Sequence, residues 1–476
     1  MIVLSLITLI SAISFIEPTN ILTIDDVKNE LEVNEIPKFY FEGEILDLKD
    51  KKTEREIKVK YVTYDKSVDY YAKIKLQGTS SLNYEKKNYT ITFYSDNNYE
   101  NKKKIDFGWG EQNKYCLKAN WVDKTHSRNI VTASIAANAQ SKYNVLTNTP
   151  HNGTIDGEPV EIYLNNEFLG LYTLNIPKDD WLFNMDDENE NHIVLSAATC
   201  CGGTNFTRRA TLDDWEVEVG EENDETLDKL NRLSSFVRNS SDEDFKNNFN
   251  EYFDFDSLLN YYVFLQFAQL RDNVCKNALL VTYDGKIWYM SLYDLDTSWG
   301  TEWNGKELLN FSEPLSIQYN VLWDRFTKTF PNEIADRYFE LRTSLLSKEN
   351  VLNEFKTFAN DIPKTSLEKE NERWKNIPGY DLSQVEEFLD TRIPIIDNLF
   401  TDMYTYENKV TVVYNKNSDG SITAKLVNVR KDTILLNGDS YTFRENGKHL
   451  FYFINHVGTK DFIEIDINCF KEKIKE

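Results

Sequence analysis

Residues 271–296 read RDNVCKNALLVTYDGKIWYMSLYDLD, and this stretch decides what kind of fold the chain adopts. A helical run, DSLLNYYVFLQFAQL (256–270), leads into it, with Asp256 placed as its N-cap. Two β-rich runs follow, ALLVTY and KIWYMSLY, joined at Asp284-Gly285. An Asp-Gly pair between two such runs is a strong two-residue hairpin signal. That turn predicts Tyr283 opposite Lys286 and Asn277 opposite Leu292, with Asp294 one diagonal step from Asn277 on the same face. Asp296 follows on that face if the strand continues. A carboxylate and an amide oxygen meeting at one point suit Mg²⁺, which prefers oxygen ligands and leaves places for phosphate oxygens. Asp272, at the mouth of the loop, is placed to accept a hydroxyl proton during phosphoryl transfer. The blander alternative makes Asp272 a loop cap, and Asp294 and Asp296 solvated strand-end charges.

Upstream the chain is β-rich. IPKFYFEGEI, EIKVKYVTYD, DYYAKIKLQG and NYTITFYS alternate or carry β-branched and aromatic residues between turn signals. Within them LQGTSSLNYEKKNYTITF (76–93) sets Gly78 in a turn, with hydroxyl and amide donors from Thr79, Ser80 and Ser81, and a strand that brings in Lys86 and Lys87. Such a turn can cradle phosphate oxygens. RNIVTASIAANAQ (128–140) reads as a helix, and EPVEIYLNNEFLGLYTLNI (158–176) as a hairpin with Asn165-Asn166 at its tip. From about residue 222 the pattern is helical as far as LSQVEEFLDTRIPIIDNLF (382–400), and from about 408 it is β-rich again. The fold class expected is α+β: a β-rich lobe, a helical lobe and a small C-terminal β domain.

Composition narrows the function. A formal charge of −24 opposes a phosphate-backbone partner, so no nucleic acid is expected. The apolar run from Ile2 to Ile16 is too short for an ordinary membrane span, and suits the core of a secretory signal over residues 1–17. A buried strand or helix is the alternative, since no Lys or Arg precedes the run. No stable membrane span is expected elsewhere. The five cysteines form no CxxC and no zinc pattern with histidine, and Cys200-Cys201 in a CCGG turn is a weak redox signal. GTEWNGKE (300–307) departs from the P-loop pattern at Glu307, and no GxSxG occurs.

Taken together, QGTSS (77–81) with KKNYTI (86–91), LKANWVDKTHSRN (117–129), VEIYLNNEFLGLYTL (160–174), RDNVCKN (271–277) and YDLDTSWG (293–300) resemble the CotH (spore coat protein H) kinase-like family. The resemblance runs from about residue 58 to about 300, and more faintly to about 400. It implies an atypical two-lobed protein-kinase-like fold over residues 36–402, with an N-lobe to about 175 and a C-lobe beyond it. Residues 408–476 remain as an accessory β domain. It also implies a secreted or surface-located, alternatively virion-associated, protein kinase that uses ATP and Mg²⁺ (or Mn²⁺) on a surface, coat or secreted protein. Asp272 would be the catalytic residue, while Asn277, Asp294 and Asp296 would hold the metal. Gly78, Ser80 and Ser81 would cover the phosphates, and Lys87, or failing it Lys86, would clamp ATP. Lys118, Asp123 and Arg128 match family positions; the two basic residues would touch phosphate or tie the lobes together. Two departures stand out: Gln77 replaces a frequent Arg, and Asn175 or Ile176 stands where an acid is common, with Asp179 the substitute. They support the rival reading of a surface adhesin, spore-coat or virion structural protein that keeps the fold without turnover.

Overall fold

The computed structural model describes residues 35–140, 144–375, 381–404, 410–429, 433–454, 460–468 and 470. The signal-like segment 1–17 and Cys469 lie outside the described residues. The fold is mixed α+β.

Seven strands come first: β1 (Lys38–Glu42), β2 (Arg55–Val62), β3 (Ser67–Gln77), β4 (Asn88–Tyr94), β5 (Lys114–Lys118), β6 (Gly157–Leu164) and β7 (Glu167–Asn175). Alternation buries one face: Ala72, Ile74 and Leu76 from β3, and Tyr89, Ile91 and Phe93 from β4. The strands close a barrel in the order β1-β2-β3-β4-β5-β7-β6. A parallel pairing of β1 with β6, Phe39 opposite Ile162, makes the closure. Asn165 and Asn166 both take left-handed φ (50° and 69°) between β6 and β7, as a tight hairpin turn requires.

Helix α1 (Arg128–Asn138) is almost wholly buried. It grips the chain just after the second strand of the Asp284-Gly285 hairpin: Asn129 Oδ1 accepts the Leu295 N–H at 2.9 Å, and Thr132 Oγ1 accepts the Trp299 indole N–H at 2.8 Å. Strands β8 (Ile193–Ala197), β9 (Trp215–Val219), β10 (Leu279–Thr282) and β11 (Tyr289–Ser291) form a second, antiparallel sheet ordered β11-β10-β8-β9.

The longer helices that follow are α2 (Asp224–Asn239), α3 (Phe255–Phe267), α4 (Val321–Thr329), α5 (Pro331–Arg342), α6 (Lys348–Asn360), α7 (Lys364–Arg373) and α8 (Leu382–Met403). α3 is apolar on nearly every side and lies inside the core. Its N-cap is Asp254, whose carboxylate accepts the Ser257 N–H at 2.8 Å. Asp256, the expected cap, sits two residues further on, within the first turn, and pairs with Arg337 at 3.2 Å. One apolar core runs through barrel, second sheet and helices. Strands β12 (Thr411–Lys416), β13 (Ile422–Val427), β14 (Ile434–Leu435), β15 (Ser440–Phe443), β16 (Gly447–Ile454) and β17 (Lys460–Ile467) carry a separate small core around Leu426, Phe443 and Phe451. Among the described residues, no helix is long and apolar enough to cross a membrane.

Candidate active site

α3 ends at Ala268, and Gln269, at a left-handed φ of 55°, turns the chain away from the helix axis. A single 3₁₀ turn, Asp272–Val274, follows. Its backbone is held from three sides: the Tyr261 hydroxyl donates to Asn273 O (2.8 Å), while the Asn320 amide (2.7 Å) and the Trp323 indole (3.2 Å) donate to Val274 O. The Asn273 amide in turn donates to Tyr293 O at 2.8 Å. Asp272 is therefore fixed relative to Asp294 by the Asn273 side chain and the Tyr293 carbonyl, each one residue away.

The hairpin register differs from the expected one. Leu279 faces Ser291 and Val281 faces Tyr289, one residue beyond the two-residue-turn register, so the ladder extends towards Asn277 and Tyr293 rather than Leu292. The cause is Asp284: its carboxylate accepts the N–H groups of Lys286 (2.8 Å) and Ile287 (2.9 Å) and rounds the turn into a wider loop. A one-residue slip turns side chains to the other face, so the shared-face argument for Asn277 and Asp294 fails. With it goes the ground for preferring Asp294 over Asp296. Both residues instead leave strand geometry, at φ of 58° and 57°, and the Asn277 N–H bonds to Ala197 O at 3.1 Å.

Electrostatics show what converges here. Lys118, the last residue of β5, donates to Asp294 Oδ1 at 3.2 Å; its side chain is 9% exposed and that of Asp294 35%. Burial opposes the charge on Lys118, but Asp294, with Tyr293 and Asp296 behind it, outweighs burial and raises its pKa. Burial likewise opposes the charge on Asp294, yet Lys118, Lys178 and Lys276 hold its carboxyl below the usual range. Asp296 goes the other way: burial, then the charge of Asp294, push it up to about 8, with Asp123 and Asp272 adding to the effect. Asp272 is raised too, by burial first and against the attraction of Lys276. Among the described residues, the side chains of Asp272, Asn277 and Asp296 make no hydrogen bond. Among those residues no three His, Cys, Asp or Glu side chains form a metal-holding group by themselves. The carboxylates of Asp294 and Asp296 are an incomplete oxygen set, which fits a hard divalent cation that fills its shell with other oxygens. A cation would also offset the burial and the Asp294 charge that push the Asp296 pKa up.

The Gly-Ser turn reaches the same place. Gly78 has φ 96°, and a Cβ there would collide with Ser81 Oγ at 2.0 Å. Ser81 Oγ donates to Gln77 O at 3.2 Å, whereas Ser80 is exposed at the start of a short 3₁₀ turn. Tyr84, next along, feels Asp296 and Asp294, which add to burial in raising its pKa, and it stacks on Trp121 at 6.0 Å.

The two lysines that follow point elsewhere. Lys87 donates to the carbonyls of Leu82 and Tyr84, bracing the turn. Lys86 is 1% exposed and is bonded to Glu370 Oε1 of α7 at 2.6 Å and to Ala119 O at 2.9 Å. Lys118 is the lysine beside Asp294. Arg128 is fully buried against Asp123 and Gln384 of α8, so it ties α8 to the segment after β5. Gln77 donates to Cys116 Sγ at 3.1 Å, and the Asn175 amide to Ile176 O at 3.0 Å. Asp179 pairs with Lys114 at 2.6 Å.

Residues outside the sequence reading also belong to the site: Asn273, Lys178, Lys276 and Tyr293. Lys178 and Lys118 lie over the Tyr293 ring, 4.5 and 5.4 Å from its centroid. Lys276, inside the quoted RDNVCKN, was legible by position; its N–H donates to Asp272 O at 2.7 Å, which sets it one turn from Asp272. A groove of about 860 Å³ opens beside Asp272, lined also by Cys200, Arg271, Cys275, Glu302 and Tyr319. A second, of about 550 Å³, is lined by Asn120, Trp121, His126, Glu370 and Trp374.

A family model described as CotH kinase protein matches residues 74–396, from within β3 to within α8. No curated protein matches the chain.

Proposed function

Because the chain belongs to the CotH kinase family, we propose that it is an ATP- and divalent-metal-dependent phosphotransferase acting on a surface, coat or secreted protein. The observation that carries this reading is the meeting of Asp272 with Asp294 and Asp296, their charges felt by one another while Asp272, Asn277 and Asp296 keep uncommitted side chains. In this reading the barrel is the core of an N-lobe over residues 36–175, residues 176–402 are the C-lobe, and 408–476 are an accessory β domain. The apolar run at residues 2–16 is the ground for placing the acceptor outside the cell.

Each side chain has a distinct task. Asp272, with its pKa raised by burial, accepts the proton of the attacking hydroxyl at a carboxylate oxygen. Asp294, Asp296 and Asn277 hold Mg²⁺ or Mn²⁺, which when bound neutralises charge on the phosphate oxygens. Lys118 shares Asp294 and adds positive charge on the barrel side. Gly78, Ser80 and Ser81 close over the phosphates, the glycine because no side chain fits there. A non-catalytic surface or coat role is the second reading, favoured by one observation: neither lysine after the Gly-Ser turn is free to clamp a nucleotide.

The test is incubation of purified protein with γ-labelled ATP and Mg²⁺ or Mn²⁺, alone and with candidate surface proteins, beside Asp272→Ala and Asp294→Ala. Label transfer lost in both variants supports the proposal. Transfer that survives both removes the residue assignment, and absence of any nucleotide binding favours the non-catalytic reading.

A further inference from the structure

Two cysteines, Cys200 and Cys275, line the groove beside Asp272, and Cys201 adjoins the first in sequence. Cys200 and Cys201 lie exposed in the segment between β8 and β9, and Cys275 caps the 3₁₀ turn that begins with Asp272. β8 and β10 run together as far as the Asn277 N–H to Ala197 O bond and then part. Their continuations touch again where the Cys275 thiol donates to Cys200 O at 3.2 Å. The Cys200 thiol is also near enough for its charge to add to burial in raising the Cys275 pKa, and a disulfide needs Cα atoms about 4.4–6.8 Å apart. Cys200 and Cys275 both line the groove, so a small reagent has a way in.

We propose that Cys200 and Cys275 are a dithiol–disulfide pair that clamps the turn carrying Asp272. The oxidant is of the disulfide class, a low-molecular-weight or protein disulfide. Cys200, the exposed partner, attacks one sulfur of that disulfide as thiolate, and the oxidant's S–S bond breaks to release one thiol. Cys275 then loses its proton and displaces the second thiol from the mixed disulfide. Two electrons and two protons pass from the pair to the oxidant, which leaves as two thiols. The new bond pulls the Cys275 sulfur from Cys200 O to Cys200 Sγ. It thereby fixes a position three residues after Asp272 and two before Asn277. Only the effect on turnover rests on the phosphotransferase reading; the bond and the clamp do not.

The experiment takes the full chain through graded ratios of oxidised to reduced glutathione. Peptide mapping without reduction identifies the bond, and amide hydrogen exchange follows residues 269–278. The expected result is a Cys200–Cys275 cross-link, slower exchange over that segment and several-fold lower phosphate transfer, all reversed by dithiothreitol and absent in Cys200→Ser. Cys201→Ser, which spares the pair, retains all three effects. A Cys200–Cys201 bond, or glutathione adducts alone, overturns the pairing. A Cys200–Cys275 bond without slower exchange overturns the clamp. A chain with no transfer in either state counts against the phosphotransferase reading alone, because mapping and exchange still decide this one.

Discussion

The side-chain amide of Asn273 donates to the carbonyl oxygen of Tyr293 at 2.8 Å, so the turn bearing Asp272 is fastened to the residue that precedes Asp294. Replacing Asn273 with Ala leaves a buried carbonyl unpaired, at a cost of about 1–3 kcal/mol of stability. It also loosens the spacing between proton acceptor and metal carboxylate, where a misplacement of about 1 Å costs on the order of 100-fold in rate. Asn273→Ala is therefore expected to bind nucleotide nearly as the parent does and to transfer phosphate about 10- to 100-fold more slowly. Turnover at saturating ATP, set beside nucleotide affinity, checks this. A fall in affinity with turnover intact would assign Asn273 to nucleotide binding.

The three lysines near the Gly-Ser turn are predicted to separate by phenotype. Lys118 faces Asp294, whereas Lys87 braces the carbonyls of its own turn and Lys86 is sealed under α7. Lys118→Met should weaken binding of a fluorescent ATP analogue at least tenfold in the presence of Mg²⁺. Lys87→Met should weaken it less than about threefold, since the conversion of tenfold to about 1.4 kcal/mol sets the scale for a lost charge contact. The reverse order would restore Lys87 as the clamp that family resemblance implied.

Glu370 carries a prediction about stability. Its carboxylate receives Lys86 Nζ at 2.6 Å and the Leu171 N–H at 2.7 Å, in a pocket where Gly170 has no room for a Cβ. Burial pulls the Lys86 pKa down and Glu370 opposes that pull. Glu370→Gln strands a buried ammonium and should cost about 3–5 kcal/mol in urea denaturation. Lys86→Met with Glu370→Leu, which removes both charges, should recover most of that loss. A double variant no better than the single one would show that the pair does more than hold α7 on the barrel.

How much of this was legible depended on sequence distance. The strands and the Asn165-Asn166 turn follow from local pattern, because hairpins and alternation are short-range. The register failed at one residue, Asp284, whose side chain widened a turn that Asp-Gly usually keeps tight. Asn277 and Asp294 then leave strand geometry, which pleat arithmetic has no way to anticipate. The contacts of Lys86 with Glu370 and of Arg128 with Gln384 join positions 284 and 256 residues apart, and nothing local announces them. Barrel closure through parallel β1 and β6 is invisible for the same reason.

The acidic pair predicts a pH dependence whose sign a cation reverses. Without metal, burial and Asp294 push Asp296 up to about 8, while the unfolded chain titrates it near 4. Below about pH 4 both states carry the proton and Asp296 contributes no slope. Between about 4 and 8 the folded protein keeps a proton that the unfolded chain has lost, so stability falls as pH rises, and it levels off above about 8. Asp296→Asn should flatten that slope. A divalent cation needs the carboxylate charged, so Mg²⁺ or Mn²⁺ must displace the proton, and its affinity should climb with pH until about 8. Calorimetry at pH 7 in buffers of different ionisation enthalpy should therefore register proton release on Mn²⁺ binding, close to one per ion, and Asp296→Asn should abolish it. Metal binding without proton release would mean that Asp296 is already ionised at neutral pH, and that Lys118 rather than the proton balances the pair.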